Sequence, residues 1–375
     1  MVKLNKLTYL DYNATVPVLD DVKFAVMECM NIGPLNASSV HAFGRKGKNI
    51  IESSRENIAS IINANSEDIV FTSSATEATN LLFSNFDNIL VSSIEHLAVL
   101  SSSKSNDFIR VNKYGVIDLN YLEDLLKKIS ADKKNILVSV MWVNNETGVI
   151  QPIDDVLEIS RKYGCLVHCD AAQALGKIKI DLKKIDLDFM TLSGHKIGAP
   201  AGIGALVIKN NIHLNAHILG GGQEKGLRAG TENLIGICGF GKAASLLSEA
   251  TYESCDKIKF LRDYLTNKIK LLSPETIFFG EDVNRVNNTI LIALPNVPGD
   301  LVSMKLDLEA FYVSSGSACS SGKISNSHVL QAMGFKNLSS NGIRISLPPN
   351  VNMLGAENLI TTNELDRFAL CWANM

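Results

Sequence analysis

Asp170 and Lys196 lie 26 positions apart, and their side chains can serve one reaction centre. A lysine amine condenses with an aldehyde only when unprotonated, a state that a buried or cation-flanked position favours. A carboxylate beside a pyridinium nitrogen keeps that ring protonated and able to act as an electron sink. Asp170 sits in His168-Cys-Asp-Ala-Ala-Gln173 and Lys196 in Thr191-Leu-Ser-Gly-His-Lys-Ile197, where Ser193 and His195 could bind phosphate. A third segment, Phe71-Thr-Ser-Ser-Ala-Thr-Glu-Ala-Thr-Asn80, clusters hydroxyl residues before a helical pattern over Glu77–Leu82. A helix start of that kind can hold a phosphate dianion on its backbone N–H groups. Each segment also has a plainer reading. Ser and Thr are common N-caps without any ligand, Asp170 would cap the next helix, and Lys196 would be a surface residue in a Gly-rich turn. The spacing of Asp170 and Lys196 leaves room for one helix and one strand, so both can reach one sheet edge. That combination is more specific than either residue alone.

Such an edge requires buried strands. Short apolar runs predict them at Ile69–Thr72, Ile89–Ser92, Ile136–Met141, Leu166–Cys169, Phe189–Leu192 and Ile203–Ile208. Apolar residues at three- and four-residue intervals predict helices over Asp20–Met30, Lys48–Ile62 and Leu119–Ile129. The alternation implies an α/β fold with a mainly parallel sheet covered by helices on both faces. After about residue 245 the texture changes. A long helical pattern over Leu246–Leu271 precedes strands at Thr276–Phe279 and Thr289–Ala293, a helix at Leu301–Leu308, another strand and a helix-like tail. We therefore expect a large domain over residues 16–245 and a smaller α+β domain over 246–375, joined by residues 1–15.

Composition narrows the classes. The 375 residues are 46% hydrophobic and 20% charged with a net charge of −3, an ordinary globular mix without a broad basic surface. Nucleic acid is not an expected partner. No apolar run approaches the roughly 20 residues of a membrane span, and the N-terminus lacks a signal peptide's apolar core, so a cytoplasmic location is expected. Seven cysteines (29, 165, 169, 238, 255, 319 and 371) are widely spread with no Cys-x-x-Cys pair. Reduced thiols fit this pattern better than disulfides or a structural metal site, and no metal is expected.

Further strings occur in a recognisable order. They run from Tyr9-Leu-Asp-Tyr-Asn-Ala-Thr15 through Ser38-Ser-Val-His-Ala-Phe-Gly-Arg45, Ser74-Ala-Thr-Glu77, Glu95-His96, Val143-Asn-Asn-Glu-Thr-Gly148, Asp170-Ala-Ala-Gln173 and Ser193-Gly-His-Lys196. Gly220-Gly-Gly-Gln-Glu224, Arg228-Ala-Gly-Thr231, Ser314-Ser-Gly-Ser-Ala-Cys-Ser320 and Ile343-Arg-Ile-Ser-Leu347 complete the series. In this order they resemble the cysteine desulfurases related to the nitrogen-fixation and iron–sulfur-cluster enzymes, within the fold-type I, class V aminotransferase superfamily. The resemblance covers nearly the whole chain. It implies a pyridoxal 5′-phosphate enzyme and a homodimer. Lys196 would carry the cofactor as a Schiff base and shuttle a proton, Asp170 would pair with the ring nitrogen, and His96 would stack on the ring and take part in proton transfer. Asn145 and Gln173 would hydrogen-bond around the ring. Ala75, Thr76, Ser193 and His195 would hold the phosphate, with Thr231 supplied by the partner subunit. Arg344 would grip the substrate carboxylate, with Asn13 assisting.

Cofactor binding alone leaves several reactions open, because the cofactor supplies a common carbanion chemistry. The small, polar segment Ser314–Ser321 narrows them. It reads as an accessible loop, in which Cys319 can present a thiolate, and the other six cysteines read as small apolar residues. The resemblance makes Cys319 the nucleophile that takes sulfur from L-cysteine as a persulfide, releases L-alanine, and passes the sulfur to an acceptor protein. Such an acceptor would serve iron–sulfur cluster or other sulfur-containing cofactor synthesis. Selenocysteine lyase activity, another class V aminotransferase-like reaction and a non-catalytic binding role are the alternatives. Cys319 disfavours transamination, and the presence of Lys196, Asp170 and Cys319 disfavours a silent protein. Val16, Ala199 and Ala201 depart from the family's usual residues. Only 28 residues follow Leu347, fewer than in the cluster-assembly relatives whose tail docks a scaffold. The identity of the acceptor is therefore left open.

Overall fold

The computed structural model describes residues 7–103, 107–130, 135–209, 212–248, 255–315, 326–349 and 360–375. The chain enters through a short strand, β1 (Thr8–Tyr9), and then builds a seven-stranded sheet. Its strands are β2 (Ile69–Thr72), β3 (Asn88–Ser92), β4 (Phe108–Ile109), β5 (Ile136–Ser139), β6 (Leu166–Asp170), β7 (Phe189–Ser193) and β8 (Gly204–Ile208). They are ordered β2-β8-β7-β6-β5-β3-β4. All neighbours are parallel except β8, which runs antiparallel to both β2 and β7.

Every residue of β2, β5, β7 and β8 is buried, which explains their continuous apolar runs: helices cover both faces. Period-two alternation divides β2 between the two faces. Val70 packs with Ala78, Leu81 and Leu82 of α3 (Ala75–Phe83), whereas Ile69 and Phe71 join the other side. That other side holds the apolar residues of α1 (Asp20–Asn31), α2 (Ala42–Ile62), α5 (Leu119–Ile129), α6 (Ile153–Lys162) and α7 (Leu234–Ser245), whereas Val99 of α4 (Leu97–Ser103) packs with α3. No helix among the described residues is long and apolar enough to cross a membrane.

A second, antiparallel sheet is ordered β12-β13-β10-β9. Its strands are β9 (Ile277–Phe279), β10 (Thr289–Ala293), β12 (Ser314–Ser315) and β13 (Gly342–Ser346). Helices α8 (Cys255–Leu272), α9 (Gly299–Leu308), α10 (His328–Ala332) and α11 (Thr362–Ala373) accompany it. β1 pairs in parallel with β11 (Phe311–Tyr312), and Asp11 bridges to Ser346, so the N-terminal segment is tied to this part of the chain.

Several elements differ from expectation, among them β4, α4 and α6, which no predicted segment covered. α2 begins six residues before Lys48, with the His41 ring accepting from Gly44 N at 3.2 Å as its N-cap. The pattern over Leu246–Leu271 is not one helix. Leu246 is the C-cap of α7, and the next helix spans Cys255–Leu272. α7 itself was not anticipated. Its glycines weaken helix propensity, but a Cβ at Gly241 would lie 2.4 Å from the Ser54 Cβ, so close packing on α2 requires a glycine there.

A buried ion pair fixes the segment that follows β8. Arg55 of α2 donates to both Glu224 oxygens at 3.0 and 2.8 Å, and to Ile69 O at 2.6 Å. Glu224 also accepts from Phe71 N at 2.7 Å. The donors saturate a carboxylate that would otherwise be costly to bury. The pair anchors Gly220–Glu224 to β2, although Glu224 and Lys225 adopt left-handed backbone with φ of 44° and 60°.

Candidate active site

The C-terminal ends of β2, β3, β5, β6 and β7 face one edge of the sheet, the position at which open α/β sheets bind ligands. The segments leaving them, together with the N-terminal segment and β13, enclose a cavity of about 410 Å³. Eleven predicted residues line it: Asn13, Ala75, Thr76, His96, Asn145, Asp170, Gln173, Ser193, His195, Lys196 and Arg344. Thr231 is exposed and is not among the residues lining its own chain's cavity. Cys319 lies outside the described residues, but Ser314, five positions earlier, lines the cavity.

One end of the cavity is built for an anion. Ser74 caps α3 by accepting from Glu77 N at 3.1 Å, and Thr72 Oγ1 donates to Ser74 O at 2.8 Å. The first N–H groups of a helix have no acceptor within it, and Ala75 and Thr76 occupy those positions. Arg228 pairs with Glu77 at 2.9 Å and offsets its charge. β8 starts directly against this turn. A Cβ at Gly204 would stand 2.6 Å from Ser74 C and 2.7 Å from Ala75 N, so only glycine allows the approach. His195 Nδ1 lies 3.1 Å from Thr15 Oγ1, and burial, with the Lys196 charge, lowers its pKa to about 4. It is a neutral hydrogen-bonding group at neutral pH.

Near the sheet edge stand Asp170 and His96. Asp170 is buried, which raises its carboxyl pKa, while the Ala172 N–H at 2.9 Å and the charges of His96 and Lys196 act in the opposite direction. His96 Nδ1 accepts from Ala98 N at 3.1 Å, and burial, partly countered by Asp170, lowers the ring's pKa. The neutral tautomer therefore carries its proton on Nε2. Behind Asp170, His168 is fixed between Ser139 Oγ and Thr191 Oγ1 at 2.8 Å each, with burial pushing its pKa down to about 3. Lys196, in the helical turn that follows β7, donates to the carbonyls of Asn13 at 2.6 Å and Ala14 at 2.9 Å.

Arg344 donates to Asp11 at 2.7 Å and to Asn145 O at 3.1 Å. Its Nε and the Asn145 Oδ1 are buried with no partner. Two orphaned polar atoms beside a cavity are the mark of a place where a polar ligand belongs. A pyridoxal phosphate fits these groups: a helix N-terminus for the phosphate, a buried carboxylate for a ring nitrogen, and a lysine amine for the aldehyde.

Asn13 differs from its expected role. It is 1% exposed, and its amide is used within the protein: Nδ2 donates to Thr289 Oγ1 at 2.9 Å and to Asn145 O at 3.3 Å, while Oδ1 accepts from Lys177 and Asn288. It is an organiser of the cavity wall rather than a spare donor for substrate. Asp11 and Lys177 were not singled out beforehand. Asp11 lies within the quoted string Tyr9–Thr15, but its pairing with β13 is a long-range contact without local sign.

Glu146, next to Asn145, was also missed. Burial raises its carboxyl pKa to about 7, although Ser327 Oγ donates to it at 2.6 Å and Arg344 acts in the opposite direction. A carboxyl whose folded pKa is raised stabilises the fold below its unfolded value, and this contribution is lost as pH rises through the folded value. The window here runs from 4.5 to about 7. Glu146→Gln is therefore expected to be more stable than the parent at pH 8 by up to about 3 kcal/mol. The gap should shrink to under about 1 kcal/mol at pH 5. Denaturant midpoints at the two pH values check this, and a pH-independent gap would contradict it.

Comparison with known proteins gives the same picture. The family model described as Aminotransferase class-V matches residues 8–359. The chain is 39% identical over 351 residues to "Cysteine desulfurase IscS 1" of Archaeoglobus fulgidus, covering 90% of both chains. It is also 39% identical over 364 residues to "Cysteine desulfurase IscS" of Ehrlichia chaffeensis, covering 92% of this chain and 87% of that one. Among solved structures, a NifS-like protein from Rickettsia africae superposes with a TM-score of 0.87 at 37% identity, covering 98% of this chain and 99% of that one. The structure described as "SspA in complex with cysteine" superposes with a TM-score of 0.76 at 31% identity, covering 92% and 99%.

Proposed function

We propose, from the premise that this chain belongs to the class-V aminotransferase family and, within it, to the cysteine desulfurases, that it converts L-cysteine to L-alanine with pyridoxal 5′-phosphate on Lys196 and the sulfur passed to Cys319. The observation that carries the residue assignment is the convergence of Lys196, Asp170, Arg344 and the α3 N-terminus on one cavity. Bound pyridoxal phosphate supplies an electron sink that loosens bonds at the substrate Cα and Cβ.

The protein's own groups do the rest. Ala75, Thr76, Ser193 and His195 hold the phosphate, with Thr231 of a second subunit completing that end in a homodimer. Asp170 holds the proton of the ring nitrogen. Gln173 Nε2, which also donates to Asn13 O, would hydrogen-bond the ring's phenolic oxygen, and Asn145 lines the same cavity. Arg344 offers its remaining N–H groups to the substrate carboxylate, which a guanidinium fork matches in shape. Lys196, once its amine is released by substrate, moves the proton at Cα. His96, neutral with its proton on Nε2, is placed to hold or pass a proton.

The Cys319 thiolate then attacks the substrate sulfur. An S–S bond forms, the substrate Cβ–S bond breaks, and the electron pair stays with the carbon fragment. Protonation of that fragment completes alanine. The persulfide on Cys319 is handed to an acceptor thiol, on a protein or small molecule, for iron–sulfur cluster or other cofactor synthesis. Chain length permits the attack. Cys319 lies four positions beyond Ser315, a tether of at most about 14 Å, and β12 is paired with β13 at Arg344.

The test is to incubate the protein, loaded with pyridoxal phosphate, with L-cysteine and a reductant. Alanine and sulfide are expected in equal amounts, and absence of alanine overturns the reading.

A further inference from the structure

Lys177 lies four residues after Gln173, in the turns that follow β6. It is 8% exposed, and no carboxylate among the described residues forms a salt bridge with it. Its Nζ donates to Asn13 Oδ1 at 2.6 Å and to Gln173 Oε1. Backbone carbonyls, which can only accept, identify the nitrogen end of each amide, and Lys177 holds the oxygen end. Gln173 Nε2 donates to Asn13 O at 2.8 Å, and Asn13 Nδ2 donates to Asn145 O at 3.3 Å. Asn13 O accepts from Lys196 at 2.6 Å as well. Lys177, Gln173, Asn13 and Lys196 thus form one connected network. Burial, with the like charges of Lys196 and Arg344 nearby, pushes the Lys177 amine well below its ordinary value. An apolar side chain would fill this space without that cost, but it would supply no donors. Two hydrogens on a neutral amine suffice for both acceptors.

We propose that Lys177 is a positioning residue for the desulfurase. By holding Gln173 Oε1 and Asn13 Oδ1 it keeps the Gln173 N–H group turned toward the cofactor's ring oxygen and the Asn13 carbonyl on Lys196. This rests on the reading of the cavity as the pyridoxal phosphate site. Removing Lys177 leaves the Gln173 amide held only by its bond to Asn13 O, so it can turn about that bond and take a donor away from the ring oxygen. With less donation there, the cofactor attached to Lys196 holds its proton more tightly.

The experiment is a pH titration of the visible absorbance of loaded Lys177→Met, Gln173→Ala and the double variant. Lys177→Met is expected to raise the titration midpoint by about one pH unit, the worth of one hydrogen bond. It should also lower kcat by about 10- to 100-fold with little change in KM. Because Lys177 acts through Gln173, the double variant should match Gln173→Ala rather than add to it. A shift in Gln173→Ala with none in Lys177→Met overturns the proposal while leaving the cofactor reading intact. No shift in Gln173→Ala refutes the ring-oxygen contact and the proposal with it. Additive shifts also overturn it. Should Lys177→Met fail to fold, Lys177→Leu, which also lacks a donor, takes its place with the same expected shift. If neither variant folds, Lys177 serves the fold and the proposal fails.

Discussion

Lys196→Ala, purified with excess pyridoxal phosphate, is expected to lack the visible absorbance of a lysine-bound cofactor and to form no measurable alanine. On the proposed assignment the amine is both the attachment point and the proton carrier at Cα. Loss of a positioned acid–base group alone costs about 10²- to 10⁴-fold. The cavity's other contacts are untouched, because the α3 N-terminus and Asp170 do not depend on Lys196 for their hydrogen bonds. The variant should therefore still bind the cofactor reversibly, which dialysis followed by phosphate or absorbance analysis measures. A spectrum identical to the parent's would refute the assignment of Lys196.

Cys319→Ser is expected to lower alanine formation by at least about 10³-fold, since activated nucleophiles are among the most costly residues to remove. A hydroxyl has no comparable affinity for sulfur, so the substrate C–S bond has no acceptor. The spectral change on adding L-cysteine should persist, because Lys196 and the cavity are intact. Four of the described thiols are poor substitutes. Cys29, Cys165 and Cys169 are buried, and burial pushes the pKa of Cys165 and of Cys238 up to about 11. Alanine formed at the parent's rate, measured by amino-acid analysis, would refute the nucleophile assignment.

Asp170 and Lys196 were readable because each follows a buried apolar run, and strand ends of a parallel sheet share an edge. The hydroxyl cluster at 72–76 was legible as a helix start after a strand, but a plain N-cap fits the same residues, and only their place on the cavity joins them to Lys196. Lys177, Asp11 and Glu146 were not readable. Each matters through a partner more than 150 positions away: Asn13 for Lys177, Arg344 for Asp11 and Ser327 for Glu146. No local pattern encodes such pairings. The boundaries failed where tertiary packing overrode propensity. α7 contains Gly236, Gly239 and Gly241, which argue against a helix locally, yet it packs tightly against α1 and α2. The apolar spacing over Leu246–Leu271 continued across a break that periodicity cannot sense, since an end of one helix and the start of the next share it.

Strand β8 runs against both of its neighbours. Gly204 is in register with Thr72 on one side and with Ser193 on the other, so these three residues form a single rung across the sheet. The phosphate turn begins just beyond Thr72, and Lys196 follows just beyond Ser193. Two interstrand steps span about 10 Å. On the proposed assignment the sheet acts as a caliper. The separation between the anion cradle and the attaching amine is gauged by backbone hydrogen bonds, not by flexible loops. A one-residue slip of β8 would turn its side chains to the opposite faces and press a Cβ into the cradle, so the jaws could no longer close on a ligand of the original length.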